Sequence, residues 1–454
     1  MEKLPDDVVL EILKYVDVGD LFACRLVCKR LERLCRSPYV WRHRYLRDEE
    51  DEDGALCPSL RIAPCLSSIV IATPAECSLV FSTRCAVAKL RVHVHAGGSL
   101  HAALVIRNQE ALGRLKELDV FLFPGAGADA RVLFETLAVT SGLGKVSIYG
   151  LPASLPYTSS PHDNVECVSS LGSSLRSFSW NVAIASQHTA PHYNILLDRH
   201  AATLEDVQLT SFFGAGSVFA SSALTAPLLA RMASLRVLAC HLLPGLPVVA
   251  QCESLREVKL YVTHPQTQPD YDGAAEFLRR ADQLKAVLLL YRGNYGPGDD
   301  GVDLVSALAA SGRSQVESLS IGNECRDDTF PQLQPLLGAL PSLPALRDLL
   351  VDVMPQELLQ AITPALAPGL RSLKLRVHQR DSLPCIHSWL HLDAIKSFLL
   401  ANPSLELHLL SRPKFCTIVR PCTVCSLGCQ YNLWKDSDPG GDYWLTVTCK
   451  DLDH

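Results

Sequence analysis

From about residue 60 the chain repeats one apolar triplet, spaced L-x-x-L-x-L, and a repeat of this kind restricts the fold more than any other feature of the sequence. The triplets run Leu66/Ile69/Ile71, Val87/Leu90/Val92, Leu115/Leu118/Val120, Leu143/Val146/Ile148, Leu175/Phe178/Trp180 and Leu204/Val207/Leu209. They continue as Leu235/Leu238/Cys240, Leu255/Val258/Leu260, Leu284/Val287/Leu289, Val316/Leu319/Ile321, Leu346/Leu349/Val351 and Leu370/Leu373/Leu375. First members lie 20 to 32 residues apart, room for one short strand, a loop and a helix. With 48% of residues apolar, a bare triplet recurs by chance, so the period and the flanks carry the weight. Ser, Gly, Thr or Ala often precedes the first apolar residue, and Arg, Lys or Glu follows it, as in SLRSF, TLEDV, SLRVL, SLREV, ALRDL and GLRSL. Helix-like segments lie between triplets at Tyr193–Leu204, Gly273–Leu284, Gly301–Ser311 and Gln356–Leu366, bounded by Pro, Gly or Asp.

The first 46 residues follow a different pattern. Pro5 suits a helix's first turn, and Asp6 and Asp7 suit its positive end. Val9, Ile12, Leu13 and Val16 then recur at helical spacing until Gly19 and Asp20 break the series. A second apolar series, Leu21, Cys24, Val27, Cys28, Leu31 and Leu34, predicts a second helix, and Ser37-Pro38 opens a third holding Trp41. Three short helices carry more apolar surface than so small a unit can hide, so a partner is expected to cover part of it.

These residues resemble an F-box. The likeness rests on Leu4-Pro5 with an acid close behind, Ile12-Leu13 ahead of Val16-Asp17, Asp20-Leu21, Val27-Cys28 followed by basic residues, and Trp41. Leu31 stands where the family usually has an aromatic residue, and stays apolar. The resemblance implies docking on a Skp-family adaptor and, through it, on a cullin–RING ligase. Leu4, Pro5, Val9, Ile12, Leu13, Leu21, Val27 and Trp41 match the family's adaptor-binding and core positions.

Residues 60–415 in turn resemble the irregular leucine-rich repeats of F-box proteins of the leucine-rich class, about ten to thirteen repeats here. The Asn that usually closes the strand loop is mostly missing, although Asn181 and Asn323 come close. The resemblance implies an α/β fold: a three-helix F-box followed by a leucine-rich-repeat solenoid, parallel strands concave and helices convex. Residues 47–59, with six consecutive acids at 48–53, read as a solvated linker, the alternative being a docking strip for a basic partner. Helix signals are poor in 54–112, and 416–454 reads as a strand-rich closing cap.

Alternation along each strand sends the residues between triplet members to the open face. Asp119, Phe121, Asn181, Gln208, Lys259, Tyr261, Asp352 and Arg376 are thereby candidates for contacting a target protein, with Phe121 and Tyr261 as anchors.

The net charge of −6 and pI near 6.2, with cations scattered, argue against nucleic acid. No apolar run reaches membrane-spanning length, and no secretory core opens the chain, so a cytoplasmic or nuclear protein is expected. In such a compartment Cys24, Cys28, Cys77, Cys240 and Cys252 would serve as reduced, small apolar residues.

Among motifs with chemical meaning, Cys422, Cys425 and Cys429 hold one CxxC spacing but lack a second pair, a weak zinc candidate beside the plainer reading as ordinary thiols. His387 and His391 lack the glutamate of a metalloprotease helix. The glycine-rich runs at Pro124 and Gly293 lack phosphate-loop endings, and no nucleophile elbow occurs. The expectation is a non-enzymatic receptor without cofactor: the substrate-recognition subunit of an SCF-type ubiquitin ligase, or a non-degradative leucine-rich-repeat interaction scaffold.

Overall fold

The computed structural model describes residues 4–47, 56–75, 77–126, 130–150, 174–182, 191–210, 222–263, 268–292, 304–323, 333–352, 356–376, 392–411 and 443–449. It forms two compact units, Met1–Leu235 and Arg236–His454.

The first unit opens on four helices, α1 (Asp6–Tyr15), α2 (Val18–Val27), α3 (Lys29–Cys35) and α4 (Pro38–Trp41). The sequence pattern predicts three, with one helix across Leu21–Leu34. Extended backbone at Cys28 (φ −160°, ψ 162°) divides that stretch, and the Cys28 Sγ accepts the Leu31 N–H at 3.5 Å, capping α3. A break without glycine or proline leaves no mark in an apolar period.

Strand β1 (Tyr45–Arg47) follows α4 directly and pairs in parallel with β2 (Cys65–Thr73). Helix α5 (Leu56–Ile62) precedes β2. Both ends of the 47–59 stretch read as linker therefore belong to folded elements; residues 48–55 lie outside the described residues. A disulfide joins Cys57 in α5 to Cys77, which corrects the expectation of a reduced Cys77.

The unit continues with β3 (Ala86–Val94), α6 (Ser99–Ala111), β4 (Glu117–Leu122), α7 (Ala130–Val139), β5 (Lys145–Gly150), β6 (Ser177–Val182), α8 (Pro191–Arg199), β7 (Asp206–Thr210) and α9 (Thr225–Ala230). Strands β1 to β7 pair in chain order, all parallel. Helix α6 lies where helix signals are poor. Its core face is built from Ala102, Ala103, Val105 and Ile106 together with a buried Gln109, so the contrast between its faces is weak. Gln109 is bonded to β3 and its approach: Oε1 accepts from Val87 N and Nε2 donates to Cys85 O, at 3.0 and 3.1 Å.

The second unit holds β8 (Val237–His241), β9 (Glu257–Thr263), α10 (Gln268–Arg280), β10 (Ala286–Arg292), α11 (Leu304–Ala310), β11 (Ser318–Asn323), α12 (Leu333–Ala339), β12 (Asp348–Val351), α13 (Gln356–Ala361), β13 (Ser372–Arg376), α14 (Asp393–Ala401) and β14 (Glu406–Ser411). Strands β8 to β14 pair in parallel in chain order, and β15 (Tyr443–Val447), within the stretch read as a cap, pairs antiparallel with β14. The cap's residues 416–442, including Cys422, Cys425 and Cys429, lie outside the described residues.

In both units the register superimposes triplet on triplet. Second members Ile69, Leu90, Leu118, Val146, Phe178 and Val207 form one buried row, and third members Ile71, Val92, Val120, Ile148, Trp180 and Leu209 the next. The second unit repeats this from Leu238 to Leu407 and from Cys240 to Leu409. The residue behind the first triplet member, charged in most repeats and Gly144 in one, hands the chain on. The Arg176 carbonyl accepts both Glu205 and Asp206 N–H, and those of Arg256, Lys285, Glu317 and Arg347 each accept two from the following strand.

His200, after α8, is buried, and burial, with the Arg199 charge adding, pushes its pKa down from 6.5 to about 4. The proton therefore favours the unfolded chain: this contribution is intact above pH 6.5 and is lost as pH falls towards 4. The expected loss is about 3 kcal/mol. Chemical denaturation across that range should show the slope, and His200→Gln should flatten it.

Candidate functional site

The helical domain sorts its apolar residues into two sets. Val9, Leu13, Leu21 and Trp41 are buried within the domain, together with Leu31, Leu34 and Val40. Leu4, Pro5, Ile12 and Val27 are exposed, as are Val8, Tyr15 and Leu26, which the sequence reading does not single out. Leu26 and Val27, on the last turn of α2, are 79% and 72% exposed, on the side of the helix away from the buried Leu21. The eight residues matched from sequence are thus half core and half surface.

Polar contacts hold the packing that presents this surface. Asp6 accepts from Arg30 Nε at 2.8 Å and Arg33 Nη2 at 2.6 Å, and Arg30 also donates to Leu4 O, so the start of α1 is tied to α3. Tyr39 donates to Glu11, the main cause of that carboxyl's lowered pKa. Trp41 Nε1 donates to Cys35 O at 2.5 Å. Arg44 reaches the carbonyls of Leu13, Lys14 and Val16 at 2.8, 3.2 and 2.5 Å, and that of Val40 at 2.9 Å. Its guanidinium occupies the negative end of α1, where a cation is favoured. Immediately beyond it β1 enters the sheet, with Ser67 and Ser68 N–H donating to Arg44 O.

In each unit a further surface lies on the sheet face opposite the triplet rows. In the first unit it carries Lys89, Arg91 and His93 on β3, aligned with Glu117, Asp119 and Phe121 on β4, then Lys145, Ser147 and Tyr149 on β5. Asp119 is only 7% exposed at its side chain and pairs with Lys89 at 2.9 Å and Arg91 at 3.5 Å, which raises the Lys89 pKa. Asn181 is buried, donating to Ser179 Oγ at 2.6 Å and accepting from Thr210 Oγ1. Gln208 donates to Asp206 on its own strand. Phe121 stacks on Tyr149 with centroids 4.7 Å apart.

In the second unit Lys259 pairs with Glu257 at 3.0 Å, Tyr261 lies 5.7 Å from the His241 ring, and Arg376 donates to the buried Asp352 at 3.4 Å. Leu288, Leu290 and Leu350 occupy the same face, half-buried, a feature the sequence reading misses because they fall outside the triplet. Gly322 makes room for Leu290: a Cβ there would sit 2.5 Å from Leu290 Cδ1.

Among the described residues no group of three or more His, Cys, Asp and Glu could hold a metal ion. Burial pushes the Cys35 thiol up to about 11 and those of Cys85 and Cys240 to about 12, so these sulfurs stay protonated at neutral pH. Among the described residues no helix is long and apolar enough to cross a membrane.

A family model of F-box-like domains matches residues 1–47. No curated protein matches the chain. The matched segment is the four-helix domain together with β1.

Arg44→Ala should destabilise the domain by about 2–4 kcal/mol, since several carbonyls lose a charged donor. Arg44→Lys should recover less than half, because an ammonium cannot reproduce the guanidinium fork. Denaturant midpoints of the three proteins measure this.

Proposed function

We propose that the chain is the substrate-recognition subunit of an SCF-type ubiquitin ligase. F-box domains generally bind Skp-family adaptors, and residues 1–47 match that family. The observation that carries the reading is the exposed apolar set Leu4, Ile12, Leu26 and Val27 on a domain whose own core is already filled by Val9, Leu13, Leu21 and Trp41. Apolar surface of this kind on an otherwise closed domain marks a docking site.

The strand–helix units that follow are read as leucine-rich repeats, and in each unit the open strand face would offer a target protein its own contacts: Phe121 and Tyr149 in the first, Lys259, Tyr261 and Arg376 in the second. The register of the triplet rows supports this. The receptor would do no bond chemistry. It would raise the local concentration of a target lysine near the ubiquitin-loaded enzyme, carried to it by the adaptor and the cullin–RING scaffold.

Because β1 belongs to both the matched segment and the sheet, deleting residues 1–47 would also remove a strand. Point changes are cleaner. Leu26→Asp with Val27→Asp should weaken adaptor retention at least about 30-fold, the scale of a lost hot spot. The thermal midpoint should stay within about 2 °C, as for surface changes generally. In cells the same variant should leave a bound target more abundant. Retention unchanged from wild type refutes the adaptor surface; retention lost with target abundance unchanged favours a non-degradative scaffold.

A further inference from the structure

On the open face of β3–β5, five rings gather at the C-terminal ends of the strands. His93 meets Phe121 edge-on at 5.1 Å and Phe123 at 5.6 Å, Phe121 stacks on Tyr149 at 4.7 Å, and His95 stacks on Phe123 at 4.4 Å. All five are at least partly exposed. On one side the charges are matched within the protein, Lys89 and Arg91 against Glu117 and Asp119. Towards β6 and β7 the buried polar groups bond one another, Asn181 with Ser179 and Thr210. Lys145 differs. It is exposed, shares the face with Tyr149, and stands across from Glu117, whose carboxylate pairs with Lys89 at 3.4 Å; no ion pair of Lys145 itself occurs among the described residues. The open face of β3–β5 thus carries three cations against two carboxylates, one of them the buried Asp119, although the whole chain carries −6.

We propose that this patch binds an extended acidic peptide lying along β5, with an aromatic or proline side chain on the Phe121–Tyr149 ladder and an Asp or Glu at Lys145. Lys145 and Tyr149 are four residues apart on one strand, so the two anchors are about 13 Å apart, and an extended peptide matches them with a spacing of about four residues. The rings supply contact area at low entropy cost, as interface anchors do. A carboxylate at Lys145 completes the charge balance of the face. A nucleic acid fits less well, since phosphate binding draws on several uncommitted cations and this face offers one.

The proposal rests on the receptor reading of the sheet face and specifies its target chemistry. The test uses the full-length chain and synthetic fluorescent peptides of about a dozen residues that pair Phe or Pro with Glu four residues away. Controls replace the Glu by Lys, scramble the spacing, or substitute a single-stranded oligonucleotide. Polarisation should show binding of the Glu peptides and loss of about tenfold or more with the Lys controls. Lys145→Glu should cost a similar factor and invert the preference, and Tyr149→Ala should weaken every peptide, both with the cooperative unfolding transition retained. Equal binding of Glu and Lys peptides, no effect of Lys145→Glu, binding of the oligonucleotide alone, or no peptide binding at all overturns the proposal. Adaptor retention measured on the same preparations reports separately on the receptor reading, which stands or falls without the peptide result.

Discussion

Within each unit the structure depends on parallel strands that cannot bury their apolar edges alone. A single strand of five or six residues offers two or three buried side chains, too little to offset the cost of ordering its backbone. Stacking removes the deficit, because each triplet is covered by its equivalents on both sides, as Leu118 is by Leu90 and Val146. The hand-off of backbone hydrogen bonds at Arg176, Arg256, Lys285, Glu317 and Arg347 keeps every strand start in step with the one before. A slip of one residue would exchange the buried rows for the charged face, so the register is strongly specified. Side chains at the same positions contribute less: Arg176–Glu205 and Lys285–Glu317 are exposed pairs, screened by solvent.

The helical domain solves a different problem with the same means. Its core residues are few, so charged and polar side chains fix its geometry: Arg44 across the end of α1, Asp6 between Arg30 and Arg33, Trp41 on Cys35 O. These contacts let a small core support a surface of exposed leucine, isoleucine and valine without collapsing onto it. Because β1 is paired with β2 and its entry is bonded at Arg44 O, the domain is joined to the first unit's sheet by backbone hydrogen bonds as well as by chain connectivity.

The triplets were legible because their period coincides with the register: every second and third member named from sequence sits in a buried row of a strand. Helix positions between them were legible to within a few residues, as for Gln356 at the start of α13, but ends were not; α10 begins at Gln268, ahead of Gly273, which the helix tolerates. Helix α6 escaped notice because alanine and a buried glutamine replace the expected leucines. Which of Leu4, Val9, Ile12 and Leu13 face outwards was not readable from spacing alone, since core and exposed residues are equally apolar and only the packing of α3 and α4 against α1 separates them.

The same limit applies to the open sheet face of each unit, where alternation assigns residues to a side but not to a state. Asp119, Asn181 and Asp352 point away from the triplets as expected, yet each is buried and engaged within the protein. A buried carboxylate or amide that already has partners has little left to offer a ligand, and exposing it again would cost the bonds it makes. Phe121 and Tyr149, by contrast, keep apolar area in contact with water, and covering that area is favourable whatever the neighbouring charges do. Any ligand of such a face would therefore be met by its rings and by whichever charge the sheet leaves unmatched, while its buried carboxylates and amides are spent on bonds within the protein.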